Sequence, residues 1–472
     1  MASFDAASTT ASRSTSTSPT RSVSQFDLGD GEENAQQLPP VDGGKAAWLF
    51  IAASTILETF IWGYSFCFAT TLVYLENHPP WNRYSVSQLS AVGTTQLGLE
   101  YIFPVLAVTV YRRYPEWVRT ILWTSVAVSC SSMLLSSWAT ELWQLILLQG
   151  VLCGISNTLI YSPVFVYLTD WWIARRNMAL GVVFAGGGLG GFIFPWLINV
   201  VLETKGFPWL CRIWALMTVV VFSVSIVFIK PRAPLGKPAR GRAPWFPTGG
   251  WSFAKNPLFL LSMLCAAFGG LAYLPVANYL AVYAHSFSSS TTTVNLVVGL
   301  FNLAASVGCF IAGALCDRSY ALANALSGAL CALVSLTAWG LADTLGKVYL
   351  FAVLFGLVGQ QSATWGAATR DLAAGNPHLG TLIITLISVM KGVTSLFMPV
   401  VSEALYQRSA VEKEPTWGRY GFGNMIIFVG ACSIALLVCS ATLFPLSKMF
   451  AVDDAAEKLP TERGRRQSFR EE

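Results

Sequence analysis

Apolar runs of 20 or more residues recur along this chain from Ala46 to Phe444, separated by short polar loops. A helix rising 1.5 Å per residue needs about 20 such residues to cross a hydrocarbon layer roughly 30 Å thick. The runs predict twelve transmembrane helices: Ala46–Val73, Val86–Val110, Val118–Trp138, Leu142–Leu168, Met178–Leu202, Trp209–Phe228, Leu258–Tyr283, Val294–Leu315, Tyr320–Leu341, Val348–Ala368, Leu379–Leu405 and Met425–Phe444. After the sixth run comes "KPRAPLGKPARGRAPW", a stretch of Pro, Gly, Lys and Arg that cannot cross a membrane. It divides the chain into two six-helix halves, residues 46–229 and 257–447, joined by a basic linker at 230–256. The polar segments 1–45 and 448–472 lack apolar periodicity and read as disordered tails. The predicted fold class is therefore an all-α integral membrane protein with twelve helices in two pseudo-symmetric halves.

Composition narrows the function. With 54% hydrophobic and 12% charged residues, the chain lacks the charge a soluble enzyme of 472 residues would use to cover its surface. The net charge of +5 is better read through its distribution than as a nucleic-acid footprint. If the N-terminus is cytoplasmic, 22 of the 30 Lys and Arg fall on cytoplasmic segments and 7 on outer loops, with Lys391 inside a span. That bias puts both termini in the cytoplasm, and the plasma membrane is the default location. The ten cysteines form no CxxC pair and lie mostly within apolar runs. The three histidines, His78, His285 and His378, lack metal-ligand spacing. No metal, cofactor or catalytic group is predicted.

Two motifs resemble a known family. "PPVDGGKAAW", with Asp42, Gly43 and Gly44, is similar to the Asp-Gly-Gly motif that opens helix 1 in the monocarboxylate porter family of the major facilitator superfamily. "DWWIARRNMALGVVFAGGGLGG" resembles that family's second motif, through Arg175, Arg176, Gly181, Ala185, Gly186 and Gly190. Other stretches, such as "KGVTSLFMPVVSEAL", look like its large fungal branch. The resemblance spans about residues 40–447 and implies a monomeric transporter whose halves rock around a central site. It also implies that helices 2 and 11 face each other across the halves, while helices 1, 4, 7 and 10 line the cavity. Glycines four apart, such as Gly186 and Gly190, let helix backbones approach closely where lipid gives no hydrophobic drive. Arg175 and Arg176, with Asp317 and Arg318 after helix 8, occupy the loops where gating contacts are expected, or serve simply as positive-inside anchors. Animal relatives carry a Lys in helix 1 and an Asp and Arg in helix 8. The matching positions here, near Phe66, Ala305 and Cys309, are uncharged, so lactate-type proton symport does not carry over.

Three ionisable residues lie deep inside spans: Glu58, Glu100 and Lys391. Each costs roughly 2.5–3.5 kcal/mol at a helix centre on insertion scales, which points to interior, functional positions. Counted at 1.5 Å per residue, all three sit about 15–18 Å from the cytoplasmic side. One reading pairs Lys391 with Glu100 or Glu58 in one state and with an anionic substrate in another, a carboxylate carrying the coupling proton. The other is a permanent structural ion pair. Asn157, Tyr161, Tyr273, Asn278, Asn302, Gln360 and Gln361 are polar neighbours suited to orienting a substrate or to gluing helices together. The chain thus reads as a secondary active transporter of a small organic solute, an organic anion or monocarboxylate-like metabolite, proton-coupled and working by alternating access. Proton-exchange efflux of a secondary metabolite is the alternative, and a non-transporting membrane sensor a more remote one.

Overall fold

The computed structural model describes residues 39–232, 245, 251–360, 362–373, 377–407 and 417–468, with backbone alone at 370, 371, 377, 378 and 447–468. Residues 1–38 of the expected N-terminal tail, most of the basic linker, Gln361 and residues 469–472 lie outside the described residues. Among the described residues, every regular element is a helix. Eleven are long and apolar enough to cross a membrane, and a bent pair supplies a twelfth span.

The spans are α1 Lys45–Asn77, α2 Val86–Ile102 with Pro104–Arg113, α3 Pro115–Ser136, α4 Leu142–Trp171, α5 Arg176–Lys205 and α6 Phe207–Phe228. The second half holds α7 Pro257–His285, α8 Thr291–Cys316, α9 Tyr320–Trp339, α10 Leu345–Thr369, α11 Leu379–Leu405 and α12 Gly423–Leu446. The apolar pattern therefore places each span to within a few residues. It misses the local breaks. α2 bends by 42° at Pro104, where the ring removes a backbone N–H and clashes with the preceding turn. α10 stops at Val358 and resumes at Ser362, which leaves Gln360 in the gap. The helix of α12 also continues past Leu446 to Ser468, through the segment read from sequence as a disordered tail. Its first polar turns, "AVDDAAEK", are rich in good helix formers.

Outward faces are apolar, as lipid requires. Leu216, Val220 and Val224 on α6 and Phe397 and Val400 on α11 are more than half exposed. Exposed Trp48, Trp117, Trp138, Trp143 and Trp209 lie near span ends, where amphipathic rings suit the membrane–water boundary. Between the halves run two seams of small residues. Along one, α5 meets α8: a Cβ at Gly181 would stand 3.0 Å from the Cys309 carbonyl oxygen, and one at Gly313 would stand 2.8 Å from that of Asn177. Along the other, α2 meets α11, where a Cβ at Gly392 would stand 3.1 Å from the Gly98 carbonyl oxygen. Gly186 and Gly190 instead face α1, against Thr55, Thr59 and Gly63.

Candidate functional site

The two halves enclose two adjoining spaces, and among the described residues the wider one lies toward one side. A vestibule of about 560 Å³ is lined by Ser65–Glu76 side chains of α1, by α2 as far as Leu97, and by α7, α8 and α11 around Asn278, Phe301 and Glu403. These are the helix ends remote from the start of α1, so the vestibule opens away from that start. Deeper lies a central cavity of about 40 Å³. Phe66, Tyr273 and Asn302 line both spaces. Toward the start of α1 the halves are closed. Asn177 Nδ2 donates to Asp317 Oδ1 at 2.8 Å across the α5–α8 seam, and Ser388 Oγ of α11 donates to the Tyr101 carbonyl of α2 at 2.9 Å.

The three intramembrane charges all line the central cavity, but their surroundings differ. Glu100 is held by neutral donors. Ser65 Oγ donates to Oε2 at 2.8 Å, while Gln96 Nε2 and Asn157 Nδ2 donate to Oε1 at 3.1 and 3.0 Å. Ser129 Oγ in turn donates to Asn157 Oδ1 at 3.1 Å. One carboxylate thus ties α1, α2, α3 and α4 together. Glu58 is equally buried, yet its Oε2 has no hydrogen-bond partner, and neither has the nearby Tyr161 hydroxyl. Among the described residues Lys391 Nζ has one oxygen partner, Ser362 Oγ at 3.3 Å. It otherwise faces three rings, with centroids 5.2 Å away for Tyr101, 5.2 Å for Tyr273 and 5.7 Å for Trp365. Among the described residues no salt bridge joins Lys391 to either glutamate. In this conformation the opposite charges share a cavity without pairing.

The remaining polar candidates divide by position. Gln360, freed by the α10 break, donates from Nε2 to the Tyr273 hydroxyl at 2.8 Å, and its Oε1 accepts from Cys309 Sγ at 3.7 Å. Asn302 donates to the carbonyls of Gly191 and Val298 at 3.2 and 3.0 Å, a contact that spans the α5–α8 seam. Asn278 lines only the vestibule. Asn157 and Tyr161 stand behind the cavity wall rather than on it. Phe66, Ala305 and Cys309, the positions where animal relatives are charged, all line the central cavity.

At the start of α1, Asp42 adopts a left-handed backbone with φ 58°. Its carboxylate accepts N–H groups of Ile173, Ala174 and Arg175 at 2.9–3.2 Å, which pins the segment before α1 to the α4–α5 loop. Partial burial alone would raise its pKa. The backbone donors and the Arg175 charge outweigh that and hold the carboxyl below its ordinary range. Gly44 has φ 86°, a conformation that favours glycine, and Gly43 has open space around it. Arg175 is exposed at the N-cap position of α5, Arg176 opens that helix half-buried, and Arg318 is exposed beside Asp317.

Sequence reading did not single out Gln96, Ser65, Ser129, Tyr101, Trp62 or Trp365. The i, i+4 spacing of Gln96 and Glu100 was a usable signal, since both must lie on one helix face. For the aromatics there was none, because rings around a buried ammonium and rings in a core have the same local pattern.

Comparison with known proteins agrees with this architecture. The family model described as Major Facilitator Superfamily matches residues 46–399. The MFS-type transporter pynF of Aspergillus niger is 26% identical over 361 residues, which cover 75% of this chain and 81% of the relative. The aspyridones efflux protein apdF of Emericella nidulans is 26% identical, covering 78% and 73%. The fujikurins efflux protein of Gibberella fujikuroi is 22% identical, covering 79% and 78%. Twelve spans in two halves, a cavity between them open to one side, and a family match over three quarters of the chain lead to one assignment: this protein belongs to the Major Facilitator Superfamily and is a multi-pass membrane transporter.

Proposed function

We propose that the protein exports an organic anion by alternating access in exchange for protons, as a monomer with both termini cytoplasmic, in the plasma membrane. The observation that carries this reading is the unpaired couple of Glu58 on α1 and Lys391 on α11, contributed by opposite halves to one cavity. A buried carboxylate that has not formed an ion pair can take up and release a proton, and a buried ammonium lacking a counter-ion can hold an anion. In the state open away from the termini, Glu58 takes a proton from that side as the anion leaves Lys391. In the opposite state it releases the proton as the next anion arrives. The relatives named as efflux proteins support the outward direction. The Asp42–Gly44 motif supports placement in the monocarboxylate-porter branch. Neither catalysis nor nucleic-acid binding enters this reading; the partners are the lipid bilayer, the solute and protons.

Metabolite profiling of a null strain and an overexpressing strain, with and without a protonophore, tests the proposal. An acid lost from the medium of the null strain, enriched by overexpression and abolished by the protonophore is the expected result. An acid depleted from the medium only when the protein is made would reverse the direction, and export untouched by the protonophore would remove proton exchange.

A further inference from the structure

The central cavity presents two unsatisfied walls, and together they describe a ligand. On the second-half wall, Lys391 faces Tyr101, Tyr273 and Trp365, with Ser362 Oγ at 3.3 Å as its one oxygen partner among the described residues. Ring faces stabilise an ammonium without neutralising it, so the charge stays available to an anion. On the first-half wall, Glu58 and Trp62 stand one helical turn apart and both line the cavity. Glu58 Oε2 and Trp62 Nε1 are buried without hydrogen-bond partners. An orphaned acceptor beside an orphaned N–H donor, each costly to leave unmade, marks a place where a ligand completes the bonding. The rings are contiguous as well: Trp62 lies 4.4 Å from Tyr101, and Tyr101 lies 6.3 Å from Trp365, centroid to centroid.

We infer that this site recognises a planar, conjugated organic acid bearing a hydrogen-bond donor and a carbonyl-type acceptor, with an apolar extension lying in the vestibule. The inference rests on the transport reading above and names its substrate class. The acid group pairs with Lys391, the donor meets Glu58 Oε2, and the acceptor meets Trp62 Nε1. The flat body stacks on the ring faces it meets, a contact that a saturated ring of equal atom count makes less well. In this conformation the central space, about 40 Å³, has room for a few waters only, so the ring walls part to admit the head. The adjoining 560 Å³, with Phe68, Leu72, Leu97, Val282 and Phe301 on its wall, receives the rest.

Binding to the purified full-length protein in detergent, by calorimetry, tests this with simple acids. The probes are 2-hydroxybenzoate, its saturated analogue 2-hydroxycyclohexanecarboxylate, the neutral 2-hydroxybenzamide, and 4-hexyl-2-hydroxybenzoate. The planar acid is expected to bind about tenfold more tightly than the saturated acid and than the amide, and the hexyl derivative about tenfold more tightly again. Trp365→Leu should bring the planar preference to about twofold or less while acids still outbind the amide, and Trp365→Tyr should restore it. Lys391→Met should remove the preference of acid over amide. Thermal unfolding and a monodisperse elution profile check that each variant is folded. Equal binding of the planar and saturated acids, a planar preference that survives Trp365→Leu, or no binding of any acid would overturn the inference. Because profiling for proton-driven export uses the native metabolite, export can persist while these probes fail. That pattern rejects the substrate class and leaves the transport reading standing.

Discussion

Glu58 and Glu100 are the same residue type, in the same half, at similar depth, lining the same cavity, and they are not equivalent. Glu100 accepts from three side chains on three helices, and both of its oxygens are engaged. Glu58 leaves an oxygen without a donor. Removing a carboxylate from water costs several kcal/mol in either place. At Glu100 the hydrogen bonds offset that cost and knit the first half into one body. At Glu58 only the nearby Tyr161 hydroxyl and the more distant Lys391 charge act against it, and Oε2 is left without a hydrogen bond, so another conformation, a proton or a ligand must complete the balance. Burial flags both residues, while the number of partners separates scaffold from moving part.

Substitutions put that contrast to the test. The largest effect on transport is expected from Glu58→Gln, which keeps shape and removes the exchangeable proton. Proton-driven flux in membrane vesicles should fall at least about tenfold while the protein stays folded. If flux and its pH dependence survive, Glu58 belongs with Glu100 as scaffold. Lys391→Met comes next and should weaken solute binding about tenfold, with thermal stability unchanged or raised because a buried charge is replaced by an apolar chain. A large stability loss would make the aromatic cage structural instead. Glu100→Gln should show the opposite profile. It turns an amide NH₂ toward donors, so stability should fall by about 1–3 kcal/mol in thermal or denaturant unfolding, and flux per folded molecule should change little.

The smallest effect is expected at Asp42, a third carboxylate, satisfied by backbone N–H groups at the water boundary. Asp42→Ala should cost about 1 kcal/mol. Its folded-state pKa lies below the ordinary value, so the contribution is complete above the usual carboxylate range, near 4, and is lost as pH falls through the lowered value. Unfolding curves of wild type and Asp42→Ala should therefore differ at neutral pH and converge in acid.

Most of the fold was legible from the chain, because a bilayer demands long apolar runs and each run became a span. Pro104 and the Gly359–Gln360 break were visible as residues but not as bends, since neighbouring helices decide whether a freed carbonyl is satisfied or the helix kinks. Of the site, the charges were legible and their partners were not. The bonding of Glu100 depends on Asn157 and Ser129 arriving from α4 and α3, contacts that no local spacing encodes. The cage around Lys391 joins α2, α7 and α10, which lie far apart in the chain. The expected central ion pair is absent from the described state for the same reason: depth along each helix was readable, and rotation about each axis was not.

The glycine seam between α5 and α8 bears on how fast such a molecule can work. At Gly181 and Gly313 the two halves touch backbone to backbone, whereas farther along the seam Phe192, Asn302 and Ser306 interlock with the facing helix. A knobs-into-holes interface would have to change rotamers on every stroke, which adds friction and a ladder of small barriers. The bare stretch around Gly181 and Gly313 behaves more like a plain bearing. Tilting one half against the other trades one set of shallow van der Waals contacts for another and costs little side-chain entropy. Large residues placed on this seam would act as ratchet teeth, slowing turnover even where they leave solute affinity untouched.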